Sequence, residues 1–333
     1  MKKILRWFGV MVVIVSIFAG VLIVNLFFFL ETPSGESNVS LRFEKGTSVN
    51  EIVSKLEKSQ VISNIPFFKA YVWFTGTGSS LRAGEYIFPP HQTPRDVLSR
   101  LLKGDFATHK VTIPEGWTAR QIAIHLAGLD LVDPRAFLLK CIDQNFIKSL
   151  GLHVPTLEGY LYPDTYEIYK PKDEEEVIRK MVERFKEVYI KNFAGQESHI
   201  GLPIESVITL ASIVEKETGN ASERPIIASV FLNRLKKNMP LASDPTIIYS
   251  IADFNGNLTR ADLERPGPYN SYLNVGLPPT PICSPGKEAI QAVLNPLQTN
   301  YLFFVSRNDG THQFSETEDQ HFAAVRKYQQ SKN

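Results

Sequence analysis

Residues 212–220 read SIVEKETGN. Two carboxyl groups, Glu215 and Glu217, flank Lys216 at the end of an apolar run, and Thr218-Gly219-Asn220 interrupts it. A carboxyl partly withdrawn from water rises in pKa and becomes a usable proton donor near neutral pH. On a helix turning about 100° per residue, Val207 and Val214 centre the apolar face, with Ile204, Leu210 and Ala211 beside them. Glu205, Thr209, Ser212 and Lys216 form the polar face. Glu215 and Glu217 fall on opposite flanks of the apolar stripe. Periodicity alone does not choose between them. Position favours Glu217, which lies in the last turn before Gly219, where a helix opens most readily on a cleft. The negative end of the helix dipole also raises a carboxyl pKa there. Against this, Glu-Lys-Glu on a helix is ordinarily a solvated face, and the pattern by itself does not make a catalytic site.

The helix carrying this motif is expected to begin at Pro203, a residue favoured in a first turn. Other helices are expected at about 64–74, 133–149 and 174–192. The last opens with acids and ends with bases, as the dipole prefers. Three segments between 41 and 130 share one pattern: LRFEKGTSVNEIVSKL, YIFPPHQTPRDVLSRL and VTIPEGWTARQIAIHL. Phe43, Phe88 and Ile113 hold equivalent places in an alternating strand. Ser48, Thr93 and Thr118 hold the N-cap place, where a hydroxyl accepts from an orphan backbone N–H. Ile52, Val97 and Ile122 follow four residues later, and Leu56, Leu101 and Leu126 four after those. That is one buried helical stripe written three times in small β-α units. Near the C-terminus, YLFFVSRNDGTHQFS alternates on both sides of Asn308-Asp309-Gly310 and predicts a hairpin. The Pro/Gly-rich loop PYNSYLNVGLPPTPICSPG is long enough to suggest function rather than mere connection.

The chain has 333 residues, 43% apolar and 21% charged, with a formal net charge of +1. This is ordinary globular composition, and the absence of a basic stripe argues against nucleic acid as a partner. The N-terminus is different. Lys2, Lys3 and Arg6 precede an uncharged stretch from Trp7 to Leu30, long enough to cross a hydrocarbon core of about 30 Å. The segment ETPSGES after it offers no convincing cleavage site, so an uncleaved anchor is expected rather than a signal peptide. The basic residues should stay cytoplasmic, sending the rest of the chain outside. Cys141 and Cys283 are the two cysteines; isolated buried thiols are the simpler expectation, pairing the alternative. His312 and His321 make no ligand spacing, so no metal is expected, and no Gly-rich phosphate loop calls for a cofactor.

Four stretches occur in order: LEGYLYPDTYEI (157–168), LASIVEKETGNASERPIIASVFLNRL (210–235), SDPTIIYS (243–250) and YNSYLNVGLPPTPICSPG (269–286). Together they resemble the YceG-like family, the MltG-type endolytic murein transglycosylases, over most of the chain after the anchor. The resemblance implies an α+β protein: an N-terminal transmembrane helix, a small LysM-like β-α module and a mixed α+β catalytic domain. The corresponding layout is a cytoplasmic tail at 1–6, an anchor at 7–30, a polar, flexible linker at 31–40, a LysM-like β-α region at 41–130 and a catalytic domain at 131–333. It further implies a single-pass protein of the cytoplasmic membrane whose catalytic domain lies on the extracytoplasmic side. Its substrate would be the peptidoglycan glycan strand, cut at the β-1,4 bond between N-acetylmuramic acid and N-acetylglucosamine to leave a 1,6-anhydro end. Cell-wall synthesis proteins are the partners implied. Glu217, the glutamate before Thr, takes the catalytic place in the resemblance.

Other residues would support it. Glu158, Tyr160 and Tyr166, with Tyr162, sit in one Tyr-rich motif; tyrosine offers a flat face and a hydroxyl to a sugar, or else packs a core. Asn233 and Arg234 follow a helical run; Arg234 could pair with a carboxylate or simply be structural. Ser243 and Asp244 form a turn able to hydrogen-bond substrate. Family members often carry Gln just before this turn, where this chain has Ala242. Tyr269 and Asn270, with Tyr272, are placed in the groove by the resemblance. Glu158, Glu223 and Asp244 are the candidate second acids that an ordinary muramidase would need. The competing readings are such a muramidase and a non-catalytic glycan-binding scaffold.

Overall fold

The computed structural model describes residues 2–169, 171 and 173–330. The tail expected at 1–6 begins at Met1 and the expected catalytic region ends at 331–333, both outside the described residues. The fold is α+β with one long apolar N-terminal helix, and the chain divides into two compact units. The first comprises residues 2–109 with 167–169; the second comprises 110–166 and the described residues from 171 to 330.

In the first unit, α1 (Lys2–Glu31) leads to β1 (Val39–Phe43), α2 (Val49–Lys58), α3 (Ile65–Phe74), β2 (Gly84–Phe88) and α4 (Pro94–Lys103). β1 and β2 pair antiparallel, with Leu41 opposite Tyr86. Ser48 and Thr93 each accept from the backbone N–H three residues on and close a capping box, with Glu51 and Asp96 respectively. That fixes where the helices start, so the expected stripe reaches the interior. Phe43, Phe88, Ile52, Val97, Leu56 and Leu101 are all buried in one core. The end of α1 joins the same core through Phe29 and Leu30. The segment after α1, expected to be flexible, is pinned. Ser34 N–H donates to Gln92 O at 2.9 Å and His91 N–H to Gly35 O at 3.0 Å, and Ser34 Oγ donates to Val61 O at 2.7 Å.

β3 (Thr108–Thr112) pairs with β4 (Thr165–Tyr169). The third β-α segment behaves as the others locally: Thr118 closes a capping box with Gln121, and Ile122 and Leu126 are buried. It nevertheless belongs to the second unit, and its backbone shows why. Ile113 N–H goes to Asp164 O and Gly116 N–H to Ser284 O.

The second unit continues with α5 (Ala119–Gly128), α6 (Pro134–Ile142), α7 (Gln144–Ser149), α8 (Glu174–Phe193), the single turn α9 (Glu197–Ile200), α10 (Ile204–Glu217), α11 (Arg224–Lys236), α12 (Asp244–Ser250), the short α13 (Arg260–Glu264), α14 (Lys287–Leu294) and α15 (Glu318–Val325). The single helix expected over 133–149 is two. Asp143 turns extended and its carboxylate accepts from the N–H groups of Asn145 and Phe146, so it restarts the helix as a fresh N-cap. Pro203 is the N-cap of α10 rather than its first residue. α10 packs against α11 and α14, burying an unbroken run from Val207 to Val214. β5 (Phe303–Ser306) and β6 (His312–Ser315) form the expected hairpin. Cys141 and Cys283 are buried free thiols.

Candidate active site

Glu217 is the last residue of α10. Thr218 is extended and ends the helix, so the carboxyl is carried at the rim of a buried helix rather than along its side. It is half-buried. Ser243 Oγ donates to its Oε1. The Glu217 pKa is pushed up to about 7, chiefly by burial; the Ser243 hydrogen bond works against this, Asp244 adds to it, and the more distant Arg234 charge lowers it slightly. Arg234 is itself held by backbone carbonyls. Its Nε donates to Leu302 O at 2.6 Å and its Nη1 to Leu241 O at 2.6 Å and Pro240 O at 3.3 Å. It therefore sets a field at Glu217 without forming an ion pair that would lock the carboxyl as an anion.

Glu215 has the opposite surroundings. The Arg224 Nη2 lies 3.1 Å from its Oε1, with side chains only 9% and 7% exposed. Gly286 N–H donates to its Oε2 at 3.0 Å. The second Arg224 nitrogen holds Glu288 at 2.7 Å. A Cβ on Gly286 would sit 1.9 Å from Glu115 Oε1, so the Glu115 side chain would have to shift to admit one. Glu115, crowded into the same cluster, has its pKa raised by burial and then by Glu215. Glu215 is thus a strut tying α10 to the starts of α11 and α14. Arg224, Glu115 and Gly286 were not singled out by the sequence reading, and nothing in the local pattern marks them.

A second layer of polar contacts surrounds Glu217. Ser243 N–H donates to Ser271 Oγ at 2.9 Å, and Thr246 Oγ1 donates to Ser243 O at 2.7 Å. Ala242 N–H reaches Ser271 O at 2.8 Å. The turn is tight enough to hold Ala242 at φ +50°. Asp244 is exposed and accepts from Tyr272 Oη at 2.7 Å. Glu217, Ser243, Asp244 and Tyr272 thus form one continuous polar group on α10, the α12 start and the 269–286 loop. Asn270 shapes that loop from inside: its Nδ2 donates to Leu263 O and Arg265 O, both at 2.8 Å, and its Oδ1 accepts from Tyr272 N–H. Tyr269 shares a hydrogen bond with Thr280 at 2.6 Å and packs on Tyr249.

The remaining candidates are engaged with other parts of the protein, by hydrogen bonds or by packing. Glu158 is 4% exposed and accepts from Ala119 N–H at 3.0 and 3.2 Å and from Tyr249 Oη at 3.1 Å. It caps α5 from a distance, and burial pushes its pKa up to about 7. Tyr160 is buried edge-on against Phe185, and Tyr166 is buried with its hydroxyl on Tyr162 O at 2.5 Å. Asn233 Nδ2 donates to Thr299 O at 2.8 Å and Tyr301 O at 3.1 Å. Glu223 holds His312, through Nδ1 at 2.7 Å and the backbone N–H at 2.9 Å. Of the three candidate second acids, Asp244 alone is exposed beside Glu217.

The profile of the YceG-like family matches residues 41–327. A Bacillus subtilis (strain 168) protein named endolytic murein transglycosylase is 32% identical over 314 residues, covering 90% of this chain and 87% of its own length. A Streptococcus pneumoniae serotype 2 (strain D39) protein of the same name is 31% identical over 329 residues. That match covers 88% of this chain and 59% of the pneumococcal protein, so the chain spans little more than half of that relative. A crystal structure of a yceG-like protein from Listeria monocytogenes aligns with a TM-score of 0.59 at 31% identity, covering 87% of this chain and 100% of that one. The family profile runs through both units and all of the polar group around Glu217, and the chain belongs to the YceG-like family.

Proposed function

We propose that this protein is an endolytic murein transglycosylase, held by α1 as a single-pass anchor with both units on the extracytoplasmic side of the cytoplasmic membrane. Its substrate is the peptidoglycan glycan strand. The observation that carries the reading is Glu217: a half-buried carboxyl raised to about 7, hydrogen-bonded to a hydroxyl and not to a cation. Such a group is protonated often enough at neutral pH to donate, and basic enough afterwards to accept. In the first step Glu217 gives its proton to the glycosidic oxygen as the C1–O bond breaks. In the second, the C6 hydroxyl of the muramic residue attacks C1 and returns its proton to Glu217, leaving a 1,6-anhydro end. The nucleophile belongs to the substrate, so no second carboxylate is required. Ser243, Asp244 and Tyr272 line the approach, with Tyr269, Asn270 and Arg234 fixing their frame. The two β-α units of the first unit serve as the LysM-like glycan grip, and the names of the relatives support the substrate class.

A second reading comes from Asp244. An exposed carboxylate beside an acid of raised pKa is the arrangement of a hydrolase, which needs its two carboxyls about 5–9.5 Å apart. Full-length protein in detergent, given purified glycan strands, separates the two readings by the masses of its products. Anhydro-terminated internal fragments support the transglycosylase. Reducing ends overturn it in favour of hydrolysis, and intact strands leave a binding scaffold.

A further inference from the structure

α3 is unusual among the helices of the first unit. Its sequence IPFFKAYVWF carries a single charge, Lys69. A helix apolar all round is normally enclosed, yet Trp73 is 76% and Phe74 71% exposed. Their rings pack edge to face, 5.0 Å apart. At helical spacing, Phe68 and Val72 face the core and are buried. Pro66, Ala70, Trp73 and Phe74 share the other side, and three of the four are exposed. Phe67 and Tyr71 lie between these two sides, half-buried against the core.

The end of the anchor meets α3 on that intermediate side. The ring of Phe29 lies 5.7 Å from that of Phe67. Phe29 and Leu30 are buried in the same core, and Leu26 packs on it. The apolar segment Trp7–Glu31 is 25 residues long, of which about 20 cross the hydrocarbon. Its last turn therefore lies at headgroup level while embedded in the first unit. With the following segment pinned by Ser34, no flexible tether separates the anchor from this unit. The exposed strip of α3 is next to the side that touches the anchor.

We propose that the Pro66–Ala70–Trp73–Phe74 strip of α3 rests in the headgroup–acyl boundary of the leaflet from which α1 emerges. The missing partner of this face is lipid. Aromatic rings favour that depth, where an apolar body and a polar N–H are both satisfied. The first unit is then fixed at the membrane surface by two contacts, the anchor and a shallow aromatic wedge, which restrain its height and rotation. This rests on α1 being a membrane span, and the test separates the two claims.

Full-length protein is reconstituted in phosphatidylglycerol–phosphatidylcholine vesicles as two single-tryptophan forms. One carries W7F and W117F and retains Trp73; the other carries W73F and W117F and retains Trp7. Lipids brominated near the headgroup end of the acyl chain are the quencher. The expected result is that both forms are quenched about twofold or more, since each tryptophan sits at an interface. Quenching of Trp7 with no quenching of Trp73 overturns the wedge and leaves the span standing. Quenching of neither overturns both. Trp73 shielded from aqueous acrylamide but untouched by brominated lipid means that a protein surface covers the strip, and also overturns the wedge.

Discussion

Glu158 and Glu217 have the same apparent chemistry and different surroundings. Both lie in the second unit, and burial holds both at about 7. Glu158 sits at the positive end of α5, where Ala119 N–H and Tyr249 Oη satisfy it inside a sealed interior. Glu217 sits at the negative end of α10, half open, answered by one hydroxyl. A raised pKa marks a desolvated carboxyl, not a catalytic one. Access and an unsatisfied valence are what distinguish the surroundings of Glu217. Glu215 completes the contrast: two positions from Glu217 on the same helix, it is closed off by a guanidinium and a backbone N–H.

The largest effect should come from Glu217→Gln. Removing the acid–base group should lower transglycosylase turnover by about 10²–10⁴-fold, with the melting temperature at pH 8 unchanged or raised. Glu158→Gln should stay within a few-fold of full activity, because Gln keeps a carbonyl for Ala119 N–H. If the two variants are equally inactive in the glycan assay, access is not what separates them. Next in size is Arg224→Met. It strands Glu215 without its cation, and a broken buried pair costs about 3–5 kcal/mol, measurable by urea unfolding. Activity of the surviving folded fraction at low temperature should fall little if Glu215 is only a strut.

Glu158 also makes a prediction about stability against pH. Its folded pKa is raised above the unfolded value, so the native state holds the proton more tightly. Its contribution is fully present below about 4.5 and is lost as pH rises through about 7. The loss is on the order of 3 kcal/mol by the free-energy equivalent of the shift. Glu158→Gln should flatten that slope in denaturant titrations between pH 4.5 and 7. Glu217→Gln should flatten it by a similar amount, since both carboxyls are raised from 4.5 to about 7. Unequal flattening would mean that the two folded pKa values differ.

Local signals were legible in the sequence. Ser48, Thr93 and Thr118 cap the three helices they were expected to cap, because N-cap chemistry involves neighbours three residues apart. The apolar stripes and the hairpin at 308–310 are also short-range. The placement of Glu217 at a helix end followed from Gly219 and the apolar period. The fate of Glu215 did not, since one of its partners, Gly286, is 71 residues away. Nor did that of Glu158, because helix periodicity says nothing about a loop carboxyl that reaches back 39 residues to a helix start. Tyr160 and Tyr166 show the same limit. Tyrosine suits a sugar platform and a core equally, and only packing distinguishes them. Asp143 fell inside the single helix expected over 133–149, and its extended backbone makes it a cap instead.

The finest test acts on the partners of Glu217 while leaving the carboxyl in place. The Ser243 hydrogen bond lowers its pKa and the Asp244 charge raises it. An acid must be protonated to act, so activity falls as pH rises past the Glu217 pKa. Ser243→Ala removes a contact that favours the anion, so the alkaline limb of kcat/KM should move up. A net hydrogen bond of about 1 kcal/mol corresponds to somewhat less than one unit. Asp244→Asn removes a repulsive charge, so the limb should move down, by less, and the shift should shrink in high salt because Asp244 is exposed. Glu158→Gln should leave the limb where it is. Opposite movements in the first two variants and none in the third would assign the titrating group to the open carboxyl. A limb fixed in both Ser243→Ala and Asp244→Asn would place the kinetic proton elsewhere, and the contrast between the sealed and the open glutamate would lose its mechanistic meaning.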